Sequence, residues 1–353
     1  MRLEGKKRIW DDFQKDIPDD HYFYVRSCIR QSFFPGSEQF FLKVLRDDLG
    51  KDIYEDPKHT TCTGIGYHGD VVPFETIQTV VARHFALATE NGYKDIVISC
   101  VTSFGIYTEI IETWKHNPEI LEKAREDLYK ATGRVFDVPE SITHSSDIIY
   151  KFRDKIAEKA KYKLINQYTG EPLKIVEHIG CHYSKMFPKY GVGGAEFPHV
   201  LIGMIESWGG KVIDYPERRH CCGFGFRQYL VQANRGYSLS NSKKKFESMQ
   251  PYKPELILAN CPGCTMFMDK WQYTIKAMEG MTYGPSGQGI PVLTYEELAG
   301  IVMGYNPWEL GLQYHNVQSE PLLDKMGVKY DTEMKYLTKD GEKMPAPAEL
   351  INV

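Results

Sequence analysis

Short, unbroken apolar runs alternate with longer stretches of helical periodicity from Tyr22 onward. Tyr22 to Val25, Ile96-Val97-Ile98, Ile175-Val176, Val212-Ile213, Leu256-Ile257-Leu258 and Pro291 to Thr294 read as buried strands, because they lack the polar alternation of a half-exposed strand. Between them, Phe40, Phe41, Val44 and Leu45 fall at helical spacing. Helices are expected over 74–89 and 197–208; the latter carries Val200, Leu201, Met204 and Ile205 on one face and ends at Gly209-Gly210. Asn117-Pro118 starts another, with the cap followed by proline and an apolar face of Ile120, Leu121, Ala124 and Leu128. Further helices are predicted over Ser145 to Lys161 and Tyr295 to Met303, and the polar, turn-rich segment Tyr305 to Val353 is expected to wrap the surface or meet a partner.

The order of these elements repeats. The first unit runs from the Tyr22 strand to Cys28, through a helix to Cys62-Thr63-Gly64-Ile65-Gly66-Tyr67, and through a second helix and the Ile96 strand to Cys100-Val101-Thr102-Ser103. The second runs from the Ile175 strand to Gly180-Cys181-His182, through a helix to Cys221-Cys222-Gly223-Phe224-Gly225-Phe226, and from the Leu256 strand into Cys261-Pro262-Gly263-Cys264. Cys62 to Tyr67 aligns with Cys221 to Phe226 without a gap. A repeat of about 100 residues is too long for a solenoid period. The alternation predicts an α/β class, two duplicated domains with parallel sheets and cysteines on loops after the strands. The expected boundaries are 1–115 for the first domain, 116–170 for a helical spacer, and 171–353 for the second domain with a C-terminal extension.

With 353 residues and 42% apolar content the chain is long enough for two ordinary cores. A net charge of -4 without a basic stripe argues against nucleic acid. Met1 to Lys15 mixes charges with short apolar residues and lacks the apolar core of a signal peptide. The longest apolar runs, such as Val200 to Ile205, are too short to cross a bilayer. A cytoplasmic protein without a membrane span is therefore expected, with its eight cysteines reduced.

Five of those cysteines fall in the second unit. Thirty-nine residues separate Cys181 from Cys221, thirty-eight separate Cys222 from Cys261, and two separate Cys261 from Cys264. Thiolates gathered from strand ends suit a soft metal centre. A tetrahedral zinc would leave one of the five over, and a thioredoxin-like dithiol would use Cys261 and Cys264 alone. Cys-Pro-Gly-Cys reads as a tight turn that converges two thiolates, whereas the adjacent Cys221 and Cys222 point apart and suit two irons of a larger cluster, or a bridge. Iron and sulfur, in more than a four-thiolate cube, account for the whole set.

In the first unit the equivalents are Cys28, Cys62 and Cys100, with Thr63 in the place of Cys222 and Ser103 in that of Cys264. Three thiolates can hold a three-iron cluster, or a four-iron cluster with one iron open; the alternative is a decayed site whose cysteines are merely buried. His182 and His220 are expected as hydrogen-bond donors to sulfide or backbone rather than ligands. Arg218 and Arg219 offset an anionic centre, meet an anionic substrate, or form a solvated pair in a loop. Gly64, Gly66, Gly223 and Gly225 fit close backbone approach or turns; without GxGxxG they do not make a nucleotide site. Lys243-Lys244-Lys245 reads as a solvated helix face.

Cys181, the Cys221-Cys222-Gly223 triplet and Cys261-Pro262-Gly263-Cys264 resemble the CCG cysteine-rich domain, which occurs twice in the B-type subunit of heterodisulfide reductase and its relatives. The resemblance covers nearly the whole chain, including the ending Pro291-Val292-Leu293 through Glu309-Leu310-Gly311-Leu312. It implies Rossmann-like CCG domains and a noncubane [4Fe-4S] cluster held, as the catalytic centre, by Cys181, Cys221, Cys222, Cys261 and Cys264. In the methanogen enzymes two such clusters face one cavity and split a disulfide between them. Here Thr63 and Ser103 break the first site, so Cys28, Cys62 and Cys100 would hold at most a second, smaller cluster ([3Fe-4S] or [4Fe-4S]). Such a lopsided chain looks like the second B-type subunit of the heterodisulfide-reductase-like complexes of sulfur oxidisers, which implies a disulfide, persulfide or lipoyl-bound sulfur substrate. The chain has no flavin or nicotinamide motif, so the expected partners are a ferredoxin-like iron–sulfur subunit and a flavoprotein subunit. Two rival expectations stand beside this one: an electron-transfer subunit of a glycolate-, lactate- or succinate-oxidising complex, and a non-catalytic scaffold that positions a complete sibling.

Overall fold

Two four-stranded parallel sheets of identical strand order organise the chain. The computed structural model describes residues 16–59, 62–68, 71–184, 191–194, 198–225 and 235–330. Met1 to Lys15, Phe226 and the last part of the Tyr305 to Val353 segment lie outside the described residues. Strands β1 (Tyr22–Val25), β2 (Ile53–Tyr54), β3 (Asp95–Ile98) and β4 (Ser141–His144) form one sheet in the order β2-β1-β3-β4. Strands β5 (Lys174–His178), β6 (Lys211–Val212), β7 (Leu256–Ala259) and β8 (Val292–Thr294) form the other in the order β6-β5-β7-β8. β1 and β7 are buried along their whole length, as parallel strands covered on both faces must be.

The helices of the first half are α1 (Cys28–Phe33), α2 (Pro35–Lys43), α3 (Thr63–His68), α4 (Phe74–Glu90), α5 (Val101–His116), α6 (Pro118–Thr132), α7 (Ser145–Lys151) and α8 (Arg153–Glu158). Those of the second are α9 (Cys181–Ser184), α10 (Val200–Ser207), α11 (Arg235–Met249), α12 (Pro262–Glu279), α13 (Tyr295–Met303) and α14 (Glu320–Lys325). The duplication extends to local detail. Ser99 N–H donates to the Val25 carbonyl and Asn260 N–H to that of His178, one residue before Cys100 and Cys261 respectively. β4 and β8 each lead into a helix through a capping box, His144 with Asp147 and Thr294 with Glu297.

Two expectations change. The stretch 116–170 is more than a helical spacer, because β4 pairs with β3 and completes the first sheet. With Ile142 as its one aliphatic residue, β4 has no hydrophobic signature of its own, and pairing with a buried neighbour creates it. The single helix expected over Ser145 to Lys161 is two, α7 and α8, parted at Phe152, whose ring is buried.

The units pack crosswise: α1 against α12, α9 against α5, α2 against α13, and α7 against α10. The helices that start at the cysteines of one unit therefore rest on those of the other. Arg30 of α1 is fully buried in this seam. Its guanidinium pairs with Glu296 at 2.5 Å and donates to the Ser99 carbonyl at 2.7 Å and the Tyr295 hydroxyl at 3.0 Å. No helix among the described residues is long and apolar enough to cross a membrane.

Candidate metal centre

Cys28, Cys100, Cys181 and Cys261 each sit two or three residues after a parallel strand has ended, whereas Cys62 and Cys221 lie eight and nine residues beyond β2 and β6. Cys261 is the N-cap of α12 and Cys100 that of α5, both with extended backbone. Cys-Pro-Gly-Cys is thus the first turn of a helix rather than a free turn: Pro262 occupies its first position, and Cys264 lies three residues past the cap, on the same face. Cys181 opens α9. Cys221 and Cys222 lie on the segment between β6 and α11, where the N–H groups of Gly223 and Phe224 donate to the Cys221 and Cys222 sulfurs at 3.3 and 3.4 Å.

All eight cysteines are free thiols. In the second unit the thiols act on one another in series, Cys181 on Cys221, Cys221 on Cys222, Cys222 on Cys264 and Cys264 on Cys261. The Cys222 and Cys264 sulfurs lie 3.0 Å apart. Hydrogen bonding to neighbouring thiols, then burial, pushes Cys181 and Cys264 above the usual thiol range. Cys221 receives hydrogen bonds from its neighbours and is held well below it, and Cys261 is lowered by Cys264 and by the amides of the α12 terminus. Crowded protons and selectively stabilised thiolates are what a thiophilic metal relieves on binding. The donor set therefore fits an iron–sulfur centre.

The first unit repeats the arrangement with its middle replaced. Cys28 and Cys62 act on each other, as Cys181 and Cys221 do. In place of the Cys222–Cys264 contact, the Thr63 hydroxyl donates to Ser103 Oγ at 3.0 Å, and both side chains are buried. The two lost thiols are thus exchanged for two hydroxyls that satisfy each other. Burial pushes Cys100 up to about 11, and the Cys261 thiol contributes. A Cβ on Gly180, beside Cys181, would stand 3.2 Å from Cys261 Cβ and 3.3 Å from Val101 next to Cys100, so the two thiol groups adjoin across the seam.

Of the histidines singled out in the sequence, His182 has Nδ1 3.6 Å from the Cys181 sulfur, whereas His220 turns away to Asn241 at 3.0 Å. His178 was not singled out. It ends β5, is buried, and its ring nitrogen and the sulfurs of Cys222 and Cys264 lie within 4.8 Å of one another. The register places Val25 at its position in the first unit, so His178, Cys222 and Cys264 are replaced together by Val25, Thr63 and Ser103. The signal available in the sequence was faint: a histidine after Glu177, closing a strand whose only aliphatic residues are Ile175 and Val176.

The charged residues also depart from expectation. Arg218 Nε lies 2.5 Å from the buried Glu177 carboxylate, with Arg219 at 3.8 Å, so neither is a solvated pair. Lys243 and Lys244 reach surface carboxylates of Glu279 and Glu217. Lys245 is fully buried, because one polar face of α11 holds the cysteine loop. Ser238 donates to the Gly223 carbonyl at 2.5 Å, Ser242 donates to that of Cys222, and Ser248 accepts from Glu217 N–H at 3.1 Å. Lys245 Nζ donates to the carbonyls of Glu217, Arg218 and His220 at 2.8, 2.9 and 3.2 Å.

A duplicated parallel α/β fold that gathers free thiols at its strand ends defines a cysteine-rich-domain protein, and residues 175–269 match the CCG cysteine-rich domain family. The chain is 28% identical over 324 residues to the B-type subunit of the ferredoxin:CoB-CoM heterodisulfide reductase of Methanosarcina acetivorans, covering 89% of this chain and 98% of that protein. It is 22% identical over 260 residues to the 8-methylmenaquinol:fumarate reductase membrane anchor subunit of Wolinella succinogenes, covering 73% and 83% respectively. The fold is shared with the crystal structure of a hypothetical protein from Helicobacter pylori, with a TM-score of 0.60 at 16% identity; the match covers 89% of this chain, which spans 58% of that one. Over most of its length the chain is thus similar to heterodisulfide reductase B-type subunits, and its residues 175–269 carry the CCG cysteine-rich domain.

Proposed function

We propose that this chain is an iron–sulfur subunit of a cytoplasmic heterodisulfide-reductase-like complex, performing thiol–disulfide or sulfane-sulfur redox chemistry at a noncubane [4Fe-4S] centre held by Cys181, Cys221, Cys222, Cys261 and Cys264. The observation that carries this reading is the unbroken chain of five free thiols within the residues that match the cysteine-rich domain. When bound, such a centre supplies iron that accepts a sulfur ligand and exchanges electrons. The protein supplies the rest. Cys222, Cys261 and Cys264 are buried and close the floor of the site, while the half-exposed Cys181 and Cys221 form its rim. His182, beside the Cys181 sulfur, is placed to hold a proton or hydrogen bond at that rim.

Cys28, Cys62 and Cys100 are the ligands of a second, smaller cluster in this reading, and the exposure of Cys28 makes it the more open of the two. Symmetric capture of both halves of a disulfide by this chain alone does not fit that asymmetry. The asymmetry supports a role like that of the second B-type subunit of sulfur oxidisers, with a disulfide, persulfide or lipoyl-bound sulfur as substrate. Electrons then pass to or from a ferredoxin-like iron–sulfur subunit and a flavoprotein. A second reading, an electron-transfer subunit of a complex oxidising glycolate, lactate or succinate, draws on the similarity to the Wolinella fumarate reductase subunit.

The test is anaerobic reconstitution followed by iron and sulfide counts and electron paramagnetic resonance (EPR), with disulfide, persulfide and dihydrolipoamide added in turn. About four irons mean one cluster and roughly seven or eight mean two. Uptake of zinc, or of iron without sulfide, refutes the cluster. A cluster whose spectrum ignores all three sulfur compounds favours the second reading.

A further inference from the structure

We infer that Lys245 is the positioning cation of the second-unit centre: it pins the loop that carries Cys221 and Cys222, and its charge sets the reduction potential of the centre those thiols bind. The inference rests on the cluster reading above for its second half only. An ammonium removed from water needs either a counter-anion or full hydrogen bonding. Lys245 has an exposure of 0%, and its three acceptors are main-chain carbonyls of the four residues just before Cys221. No carboxylate lies within ion-pair distance of it among the described residues, and the nearby Glu177 is engaged by Arg218. The Glu217 carboxylate, from the same loop, is taken by Lys244 at 2.9 Å. Of the anionic groups that act on its charge, Glu177 comes first although it is already paired with Arg218, and the Cys222, Cys264 and Cys221 sulfurs follow.

The bonds also define the loop. Lys245, Ser242 and Ser238 stand at spacings of three and four along α11, so one helix face grips 217–223 at successive carbonyls. In the first unit α4 follows Cys62 as α11 follows Cys222, yet it buries Val81, Ala82 and Phe85 and no lysine. The buried lysine accompanies the five-thiol site; at the three-thiol one the matching contact comes from the partly exposed Arg83 of α4, which donates to the Lys58 carbonyl, four residues before Cys62, at 2.9 Å. Reduction adds negative charge beside it, so a buried ammonium favours the reduced state.

The experiment uses the full chain with Lys245→Gln, which keeps a donor but not the charge, Lys245→Arg, which keeps the charge, and Ser242→Ala, which removes a neighbouring grip only. Redox titration followed by EPR reads the second-unit signal, and amide exchange of residues 217–224 is read on iron-free protein. The Gln variant is expected to titrate at more negative potential and to exchange faster by about tenfold or more. The Arg variant should keep the wild-type potential, and Ser242→Ala should speed exchange without moving the potential. An unchanged potential in the Gln variant, or an equal shift in Arg or Ser242→Ala, overturns the charge role; unchanged exchange in the Gln variant overturns the positioning role. If the wild-type protein takes up no iron, the cluster reading fails, and the exchange comparison still decides the positioning role.

Discussion

Gly223→Ala should damage the second-unit site far more than one methyl group suggests. Gly223 has φ +91, a conformation that costs a residue with a Cβ about 1–2 kcal/mol. Its Cβ would stand 2.2 Å from the Ser238 carbonyl oxygen and 3.0 Å from that carbonyl carbon. Those atoms belong to the backbone of α11, so relief requires moving the helix or the loop, at about 1–3 kcal/mol. The expected loss is about 2–5 kcal/mol of stability, together with misplacement of Cys222, whose carbonyl Ser242 holds. Gly280→Ala is the matched control: φ is +68, but nothing lies within 4 Å of its Cβ, so only the backbone term of about 1 kcal/mol remains. Urea unfolding of the reduced, iron-free variants gives the two differences, and iron content after anaerobic reconstitution gives the consequence. Equal destabilisation by the two substitutions, or full iron with an unchanged spectrum in Gly223→Ala, would refute the packing argument.

Three further outcomes are expected. The hydroxyl contact of Thr63 and Ser103 matches the Cys222–Cys264 sulfur separation, 3.0 Å in each case, so Thr63→Cys with Ser103→Cys should add a second noncubane-type EPR signal on reconstitution; a spectrum identical to wild type counts against equivalence of the units. Changing Cys28, Cys62 and Cys100 together to serine should lower the iron count and leave the second-unit signal intact, and collapse of that signal would show that the sites depend on each other. The third outcome concerns pH. Burial disfavours the His315 imidazolium, but the Glu297 carboxylate 3.1 Å away outweighs it and raises His315 to about 9. A pKa raised on folding stabilises fully below the unfolded value of about 6.5 and is lost as pH rises through the folded one, on the order of 3 kcal/mol in all. Unfolding free energy should therefore fall across that window in wild type, and His315→Gln should flatten the slope.

Much of the site was legible before any fold was known, for a physical reason. The cysteine loops follow buried parallel strands, and such strands announce themselves as unbroken apolar runs. The α13 helix was legible to its ends, because Thr294 and Glu297 cap one end and Gly304 closes the other. β4 was not, because Ser141, Thr143 and His144 look like loop until β3 lies beside them. Lys245 was misread with its neighbours for a related reason: three consecutive lysines on a helix point in three directions, and only packing decides which one is buried. His178 carried the weakest signal, because it follows Glu177 at the end of a strand with only two aliphatic residues.

The sequence by itself determined most of the local terms: where the apolar strands and capped helices form, that the pattern occurs twice, and which thiols each copy offers. Those follow from periodicity, capping and residue chemistry, which act within a few residues. Only the tertiary structure decided how those pieces meet. It joins five thiols from three separate segments into one chain, seats the hydroxyl pair of Thr63 and Ser103 where the other unit has sulfur, and sets the two groups side by side across the Arg30 seam. It also buries one lysine beneath the paired cysteines. Each of these pairs residues tens to hundreds of positions apart, and their proximity is set by how the two sheets and their helices pack.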